Sequence, residues 1–221
     1  MTLLGFDTST AASSACVLLD DGEAVEVIPD AERLADRPAH AAELMPAVAE
    51  VMERAGVCWA DLDAIAVGVG PGAFTGLRIG VATARALASG AGLGVRPVPS
   101  PAALAEGIEA DWRLPLIDAR RGELFAALYG PEGVEWGPYT VRPEELAARV
   151  REAGLDPLAA GDGSVRFRLA LEADGIRVAP DRSGAHVVRA LHICRLALKV
   201  PDEPPESVLP DYLRAPDAKP Q

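Results

Sequence analysis

Residues 3–22 read LLGFDTSTAASSACVLLDDG, and residues 114–133 read LPLIDARRGELFAALYGPEG. Leu3–Asp7 is an apolar run ending in aspartate, and so is Leu114–Asp118. Small polar residues follow the first (8–14) and a short turn, Ala119–Gly122, follows the second. Each is succeeded by another strand-like run, Ala15–Leu19 and Glu123–Tyr129, closed by glycine-bearing turns. Asp7 to Gly22 spans fifteen positions, as does Asp118 to Gly133, and the aspartates stand 111 apart, about half the chain. The pattern points to an internal duplication of a strand–Asp–turn–strand unit.

Between these units the sequence alternates strand and helix. Ala24–Ile28 reads as a third strand. From His40 to Ala55, the residues Leu44, Val48, Val51, Met52 and Ala55 recur along one helical face, with Pro46 expected to cap or kink it. Leu62–Gly68 reads as a buried strand and residues 76–90 as a helix. The proline-rich stretch Pro97–Pro101 suits a boundary between halves. Further on, Pro143–Ala153 reads as a helix, Asp156–Gly163 as a strand running into a Gly-Asp-Gly turn, and Ala185–Leu198 as a helix burying Val188, Leu191 and Leu198. A proline-bearing tail from Pro201 reads as extended.

The 221 residues are half apolar and carry a formal net charge of −12. That charge disfavours unaided binding to RNA, which needs clustered Lys and Arg. Cys16, Cys58 and Cys194 form no CxxC pair, which suits reduced thiols in the cytoplasm. The N-terminus lacks a basic, then apolar, leader pattern, and no run approaches a membrane span. A soluble cytoplasmic protein is therefore expected.

The stretch Gly68–Gly80, GVGPGAFTGLRIG, holds five glycines between a strand and a helix, the layout of a phosphate cradle. It fails as a P-loop, because no lysine follows Gly76, and as a dinucleotide fingerprint, because Ala73 stands where the third glycine belongs. Its glycines then serve unusual dihedrals and close packing. Gly80, Ala84 and Ala88 leave one face of the following helix nearly flat, with Ala82 and Ala86 on the next row and Leu87 as an anchor. Packing inside the domain and docking on another chain both account for that face.

Asp7, Ser9 and Thr10 could orient a phosphate or a magnesium water, or could cap a hairpin turn. Arg120 and Arg121 could meet an anion or line a solvated turn. His40, His186 and His192 form no HExxH pair, so no metal is expected, and no GxSxG elbow marks a hydrolase nucleophile.

Four stretches, taken together, resemble one family. They are the start FDTST, His40–Pro46 (HAAELMP), Asp63–Gly80 (DAIAVGVGPGAFTGLRIG) and Leu116–Phe125 (LIDARRGELF). In this order they look like the bacterial TsaB family, also called YeaZ. The resemblance implies an α/β fold of the actin-like, sugar-kinase-like (ASKHA) kind, with duplicated ribonuclease-H-like domains at 1–104 and 105–221. It also implies a role in making threonylcarbamoyladenosine at position 37 of tRNA. In that family the transfer belongs to the paralogue TsaD, and TsaE is an ATPase that joins the pair. The resemblance thus implies a non-catalytic scaffold with no catalytic residue of its own. Its partners would be TsaD and TsaE, a homodimer is an option in isolation, and tRNA is met only through the complex. ATP or ADP with magnesium could enter in that complex, with Asp7, Ser9, Thr10 and Asp118 as the candidate nucleotide contacts. The implied docking surface comprises Leu44, Val48 and Met52, together with Phe74, Thr75, Leu77, Arg78, Gly80, Val81, Ala84, Leu87 and Ala88. On that expectation Ala84→Arg abolishes pairing without unfolding the chain. Departures from the family's pattern include Val69, Ala41 and Ala73, and Leu44 stands where TsaD carries a second metal-binding histidine. The rival readings are an actin-like ATPase or small-molecule kinase using Asp7, Ser9 and Asp118, and a metalloprotease for which the sequence supplies no ligand set.

Overall fold

The structure, a computed structural model, describes residues 1–213. Its first sheet contains β1 (Leu3–Asp7), β2 (Ser14–Leu18), β3 (Ala24–Val27), β4 (Ala64–Gly70) and β5 (Gly94–Pro99). Helices α1 (His40–Ala55) and α2 (Phe74–Ala91) flank β4, and α3 (Ser100–Glu106) follows β5. The second half holds β6 (Arg113–Arg120), β7 (Glu123–Gly130), β8 (Gly133–Val141), α4 (Pro143–Glu152), β9 (Leu158–Ala160), α5 (Asp162–Arg166), α6 (Arg168–Ala173), β10 (Arg177–Val178) and α7 (Ala190–Ala197).

The strand order is β3-β2-β1-β4-β5 in one sheet and β8-β7-β6-β9-β10 in the other. In each, the first three strands of the half are antiparallel neighbours and the last two run parallel to the first. The duplication seen in two hairpins therefore extends to whole sheets, and the architecture is the actin-like one of paired ribonuclease-H-like units.

Alternation along the strands divides the core into layers. Leu4, Phe6, Ile65 and Val67 face α1 and α2 in one cluster, while Leu3, Ala64 and Ala66 face a second. That second cluster joins the halves: Ala103 and Leu104 of α3, Ile193 and Ala197 of α7, and Ile117 and Phe125 of the second sheet meet there. A third cluster packs Leu114, Leu116 and Leu128 against Leu146 of α4 and Leu171 of α6.

Several elements differ from the sequence expectation. The Pro97–Pro101 stretch, read as suiting a boundary between the halves, carries regular structure: β5 runs through it and α3 starts at Ser100. Pro97 and Pro99 fit an edge strand, where missing N–H groups cost least. α1 runs unbroken across Pro46, which is exposed, so water can take the Ala42 carbonyl that loses its helical donor. Gly161–Gly163 turns a strand into α5. The helix expected from Ala185 is interrupted: a 3-10 turn spans Gly184–His186, α7 starts only at Ala190, and Leu198 is 49% exposed. The extended tail contains a 3-10 turn at Pro205–Ser207, and its part beyond Leu213 lies outside the described residues. Among the described residues no helix is long and apolar enough to cross a membrane.

Candidate functional site

Asp7 ends β1 and is fully enclosed. Its Oδ1 accepts from the Ser9 amide at 2.8 Å and the Ser9 hydroxyl at 2.6 Å. Its Oδ2 accepts from the Ser100 hydroxyl at 2.7 Å, and Ser100 Oγ in turn accepts from the Gly70 amide at 3.1 Å. Gly68 is bare because a Cβ there would overlap the Asp7 carboxylate. Burial raises the Asp7 pKa, opposed by the hydrogen bonds from Ser9 and Ser100 and by His40. Ser9 and Thr10 are buried with it. The group binds β1, β4 and α3 together and presents no open carboxylate edge to a metal or phosphate. Ser100 was invisible to local sequence reading, since it lies 93 residues from Asp7.

Asp118, the matching residue of the second half, sits differently. Its Oδ1 accepts the Arg120 amide at 2.9 Å, and its Oδ2 pairs with Arg166 and Arg120, each at 3.0 Å. It lines a cleft of about 370 Å³ that also takes in Glu32, Asp162, Arg182 and His186. Asp162 accepts the Asp118 amide at 3.0 Å, and burial pushes its carboxyl up to about 6, with the neighbouring Asp118 charge adding to the shift and Arg120 opposing it. His186 accepts the Gly161 amide on Nδ1 at 3.1 Å and stands 3.1 Å from the Pro180 carbonyl through Nε2. That pattern makes Nε2 the protonated nitrogen, and burial lowers the ring's pKa. The structure thus separates the four nucleotide candidates. Asp7, Ser9 and Thr10 are one closed cluster, and Asp118 belongs to an arginine-neutralised cleft in the other half. The Gly-Asp-Gly at 161–163 was the visible trace of Asp162. Among the described residues no three His, Cys, Asp or Glu side chains gather as metal ligands.

The chain matches the family described as TsaD, tRNA N6-adenosine threonylcarbamoyltransferase, over residues 33–159. Two solved structures are similar over nearly their whole length. One is an uncharacterised protein with similarity to peptidase YEAZ from Pseudomonas aeruginosa, 30% identical with a TM-score of 0.78, matched over 96% of this chain and 99% of that one. The other is YeaZ from Pseudomonas aeruginosa, 28% identical with a TM-score of 0.75 and the same coverage. The chain belongs to the TsaD/YeaZ family. No curated protein matches it.

In this YeaZ-like chain the expected docking residues divide by burial. Leu44, Val48, Met52, Leu77, Val81, Ala84 and Ala88 are buried and Gly80 is covered, so they are occupied inside the chain. The physical reason lies under α2. Thr8 Oγ1 donates to the Gly76 carbonyl at 2.8 Å, and a Cβ at Gly76 or Gly80 would overlap Thr8. The flat face read from the sequence lets α2 settle on β1 of its own sheet. Ala84→Arg would drive a guanidinium into that contact and unfold the chain, so it cannot isolate pairing. What α1 and α2 offer outward is another set. On α1 it is Ala41, Ala42, Met45, Pro46 and Ala49, with Met45 43% exposed, followed by the charged Glu50, Glu53 and Arg54. On α2 it is Thr75, Arg78, Ala82 and Ala86, with Phe74 and Leu87 half-buried. Phe74 lies 5.1 Å from the Tyr212 ring, and Arg78 stacks on Phe74 while donating to the Tyr212 hydroxyl at 3.0 Å.

Proposed function

We propose that this chain is a non-catalytic subunit in threonylcarbamoyladenosine synthesis on tRNA, docking a TsaD-type paralogue through the outward rows of α1 and α2 and thereby supporting TsaE. Family membership supports the role in that modification. The observation that carries the docking reading is the outer surface of the two helices. Ala42, Met45 and Ala49 on one, with Ala82 and Ala86 on the other, are small or apolar exposed residues, bordered by the charged Arg78 on α2 and Glu50 and Glu53 on α1. Small side chains permit close approach of a partner helix, and apolar exposed surface of this kind marks interaction sites. The closed state of Asp7 favours a non-catalytic role over an actin-like ATPase or kinase. Any ATP or ADP with magnesium then belongs to the assembled complex, and tRNA contact to the partner, given the acidic charge of this chain.

The experiment is light scattering coupled to size exclusion, with TsaD from the same organism added. The parent chain should give a one-to-one heterodimer. Ala82→Arg and Ala86→Arg, both at exposed positions, should abolish it while leaving the thermal midpoint unchanged. An intact heterodimer with both variants removes this surface from the proposal. Magnesium-dependent ATP hydrolysis by the chain alone, lost in Asp7→Ala, would restore the kinase-like reading.

A further inference from the structure

We propose that Arg78 is the charged anchor of the docking surface and receives a carboxylate from a helix of the partner. This inference rests on the docking reading above and adds to it the chemistry of the group that docks. Arg78 stands on the outward row of α2, one turn before Ala82. Its guanidinium carbon lies 3.9 Å from the centre of the Phe74 ring. The Tyr212 ring is 5.1 Å from Phe74, and the Tyr212 hydroxyl accepts from Arg78 Nε at 3.0 Å. Tyr212 is itself held in place. Val208, four residues earlier, is buried in the first core cluster, and the Asp211 amide donates to the Val69 carbonyl at 2.8 Å. A long side chain is thus ordered before any partner arrives, which lowers the entropy lost on docking.

The contacts that hold Arg78 leave its charge unpaired. Only Nε is hydrogen-bonded, so the two terminal nitrogens keep their donors open among the described residues. Among those residues no acid pairs with Arg78, nor with Arg85 two turns further along the helix. The chain carries 33 Asp and Glu against 21 Lys and Arg, so scarcity of acids does not explain the missing carboxylate. Charge complementarity assigns that acid to the partner. The planar fork of a guanidinium takes a carboxylate through two parallel hydrogen bonds.

The surroundings favour a protein carboxylate over a nucleic-acid phosphate. Phe74, Ala82 and Tyr212 stand beside Arg78, and Leu213 next to Tyr212 is exposed. Such neighbours fit an apolar helix face, while the net charge of −12 repels a polyanion. Aromatic rings around an arginine are also the composition of an interface hot spot, where excluded water strengthens a charge pair.

The test titrates the full chain with the TsaD-type paralogue of the same organism by calorimetry, with thermal midpoints measured in parallel. Arg78→Ala should weaken the heterodimer by about thirtyfold or more, as when one member of a close interfacial charge pair is removed. Arg78→Lys, which keeps the charge without the fork, should restore only part of the loss. Arg85→Ala, which removes a cation that no aromatic ring holds, should cost about threefold or less. Each acid on the partner's docking helices is then changed to alanine, alone and together with Arg78→Ala. One acid should couple: its removal should cost nothing further in the Arg78→Ala background. Equal losses from Arg78→Ala and Arg85→Ala would mean general attraction between charged surfaces and would overturn the proposal. Parental affinity in Arg78→Ala, or a partner with no coupled acid, would do the same. A loss that follows a lowered thermal midpoint would make Arg78 only a clip for the C-terminal segment. If Arg78→Ala breaks only pairing of the chain with itself, the occupant is a second copy and the proposal falls. Ala82→Arg keeps the two readings apart. Where it abolishes the heterodimer and Arg78→Ala does not, the docking surface stands and this inference fails; where the parent gives no heterodimer, both fail.

Discussion

A carboxylate means different things in the two halves of this molecule. Asp7 accepts three hydrogen bonds and is closed to solvent. Asp118 is neutralised by two arginines at the edge of a cleft. Asp162, beside it, has a carboxyl raised from 3.8 to about 6, chiefly by burial. Across that interval the folded chain binds the proton more readily than the unfolded one, so stability falls as pH rises from 3.8 to about 6 and then levels off. His40, His186 and His192 act in the opposite sense. Burial lowers their pKa values, so their contribution is present above 6.5 and is lost as pH falls below it. Comparing the parent with Asp162→Asn cancels the histidines. The urea midpoint of the variant should gain on that of the parent between pH 3.8 and about 6, with no further gain above it. A difference independent of pH would show that the Asp162 carboxyl titrates alike in the folded and unfolded chain. None of this could be read from the sequence, where Asp162 was one residue of a turn, because its environment comes from β6 and α5.

At the scale of elements, α2 shows where helical spacing misleads. Its small residues recur as expected for a flat face, but spacing cannot say which neighbour the face meets. Thr8 decides it by bonding to Gly76. Alanine favours a helix over glycine by about 1 kcal/mol, yet at Gly76 the Cβ would overlap the backbone carbonyl of Thr8. Overpacking against backbone costs about 1–3 kcal/mol or more, so sterics wins. Gly90, in the last turn of the same helix, has open space around it. Gly76→Ala should therefore lower the thermal midpoint, and Gly90→Ala should raise it slightly. A rise in both would mean that α2 shifts freely on the sheet, contrary to the packing described. The elements the sequence showed well were those with long, clean periods: β1, α1, β4 and α2. Those it missed, β5, α3 and β8, carry proline or glycine in positions that only a sheet edge or a neighbouring helix makes acceptable.

At the scale of the whole molecule, the two halves exchange their last helices. α3 ends the first half and packs between the sheets, and α7 ends the second half and covers β1 and β2 of the first. The covering helix is clamped at both ends. Glu26 of β3 accepts the Leu191 amide at 3.0 Å and pairs with Arg189, while Arg96 of β5 donates to the Ala197 carbonyl at 3.0 Å. An acid at the helix start and a base at its end complement the dipole. The chain continues to Glu203, which bridges to Val95, and Arg96 holds Asp202 at 2.6 Å. A fragment of residues 1–107 would strip α7 and the second sheet from the cluster around Leu3, Cys16, Ala64 and Ala66, leaving only α3 on that face of its sheet. It should show no cooperative unfolding by circular dichroism. A sharp transition from that fragment would mean that the first half is self-sufficient.

The sequence by itself determined the repeating units, their strand and helix periods, and the family. Those depend on local alternation, on turn residues and on short motifs, all of which lie within one element or its neighbour. Only the tertiary structure decided which faces are spent. It buried the Gly80–Ala84–Ala88 row, closed Asp7 with Ser100, and seated Tyr212 against Phe74 and Arg78 at the start of α2. The reason is that burial and hydrogen-bond partnership are properties of pairs distant in sequence, and no spacing within a segment records its partner.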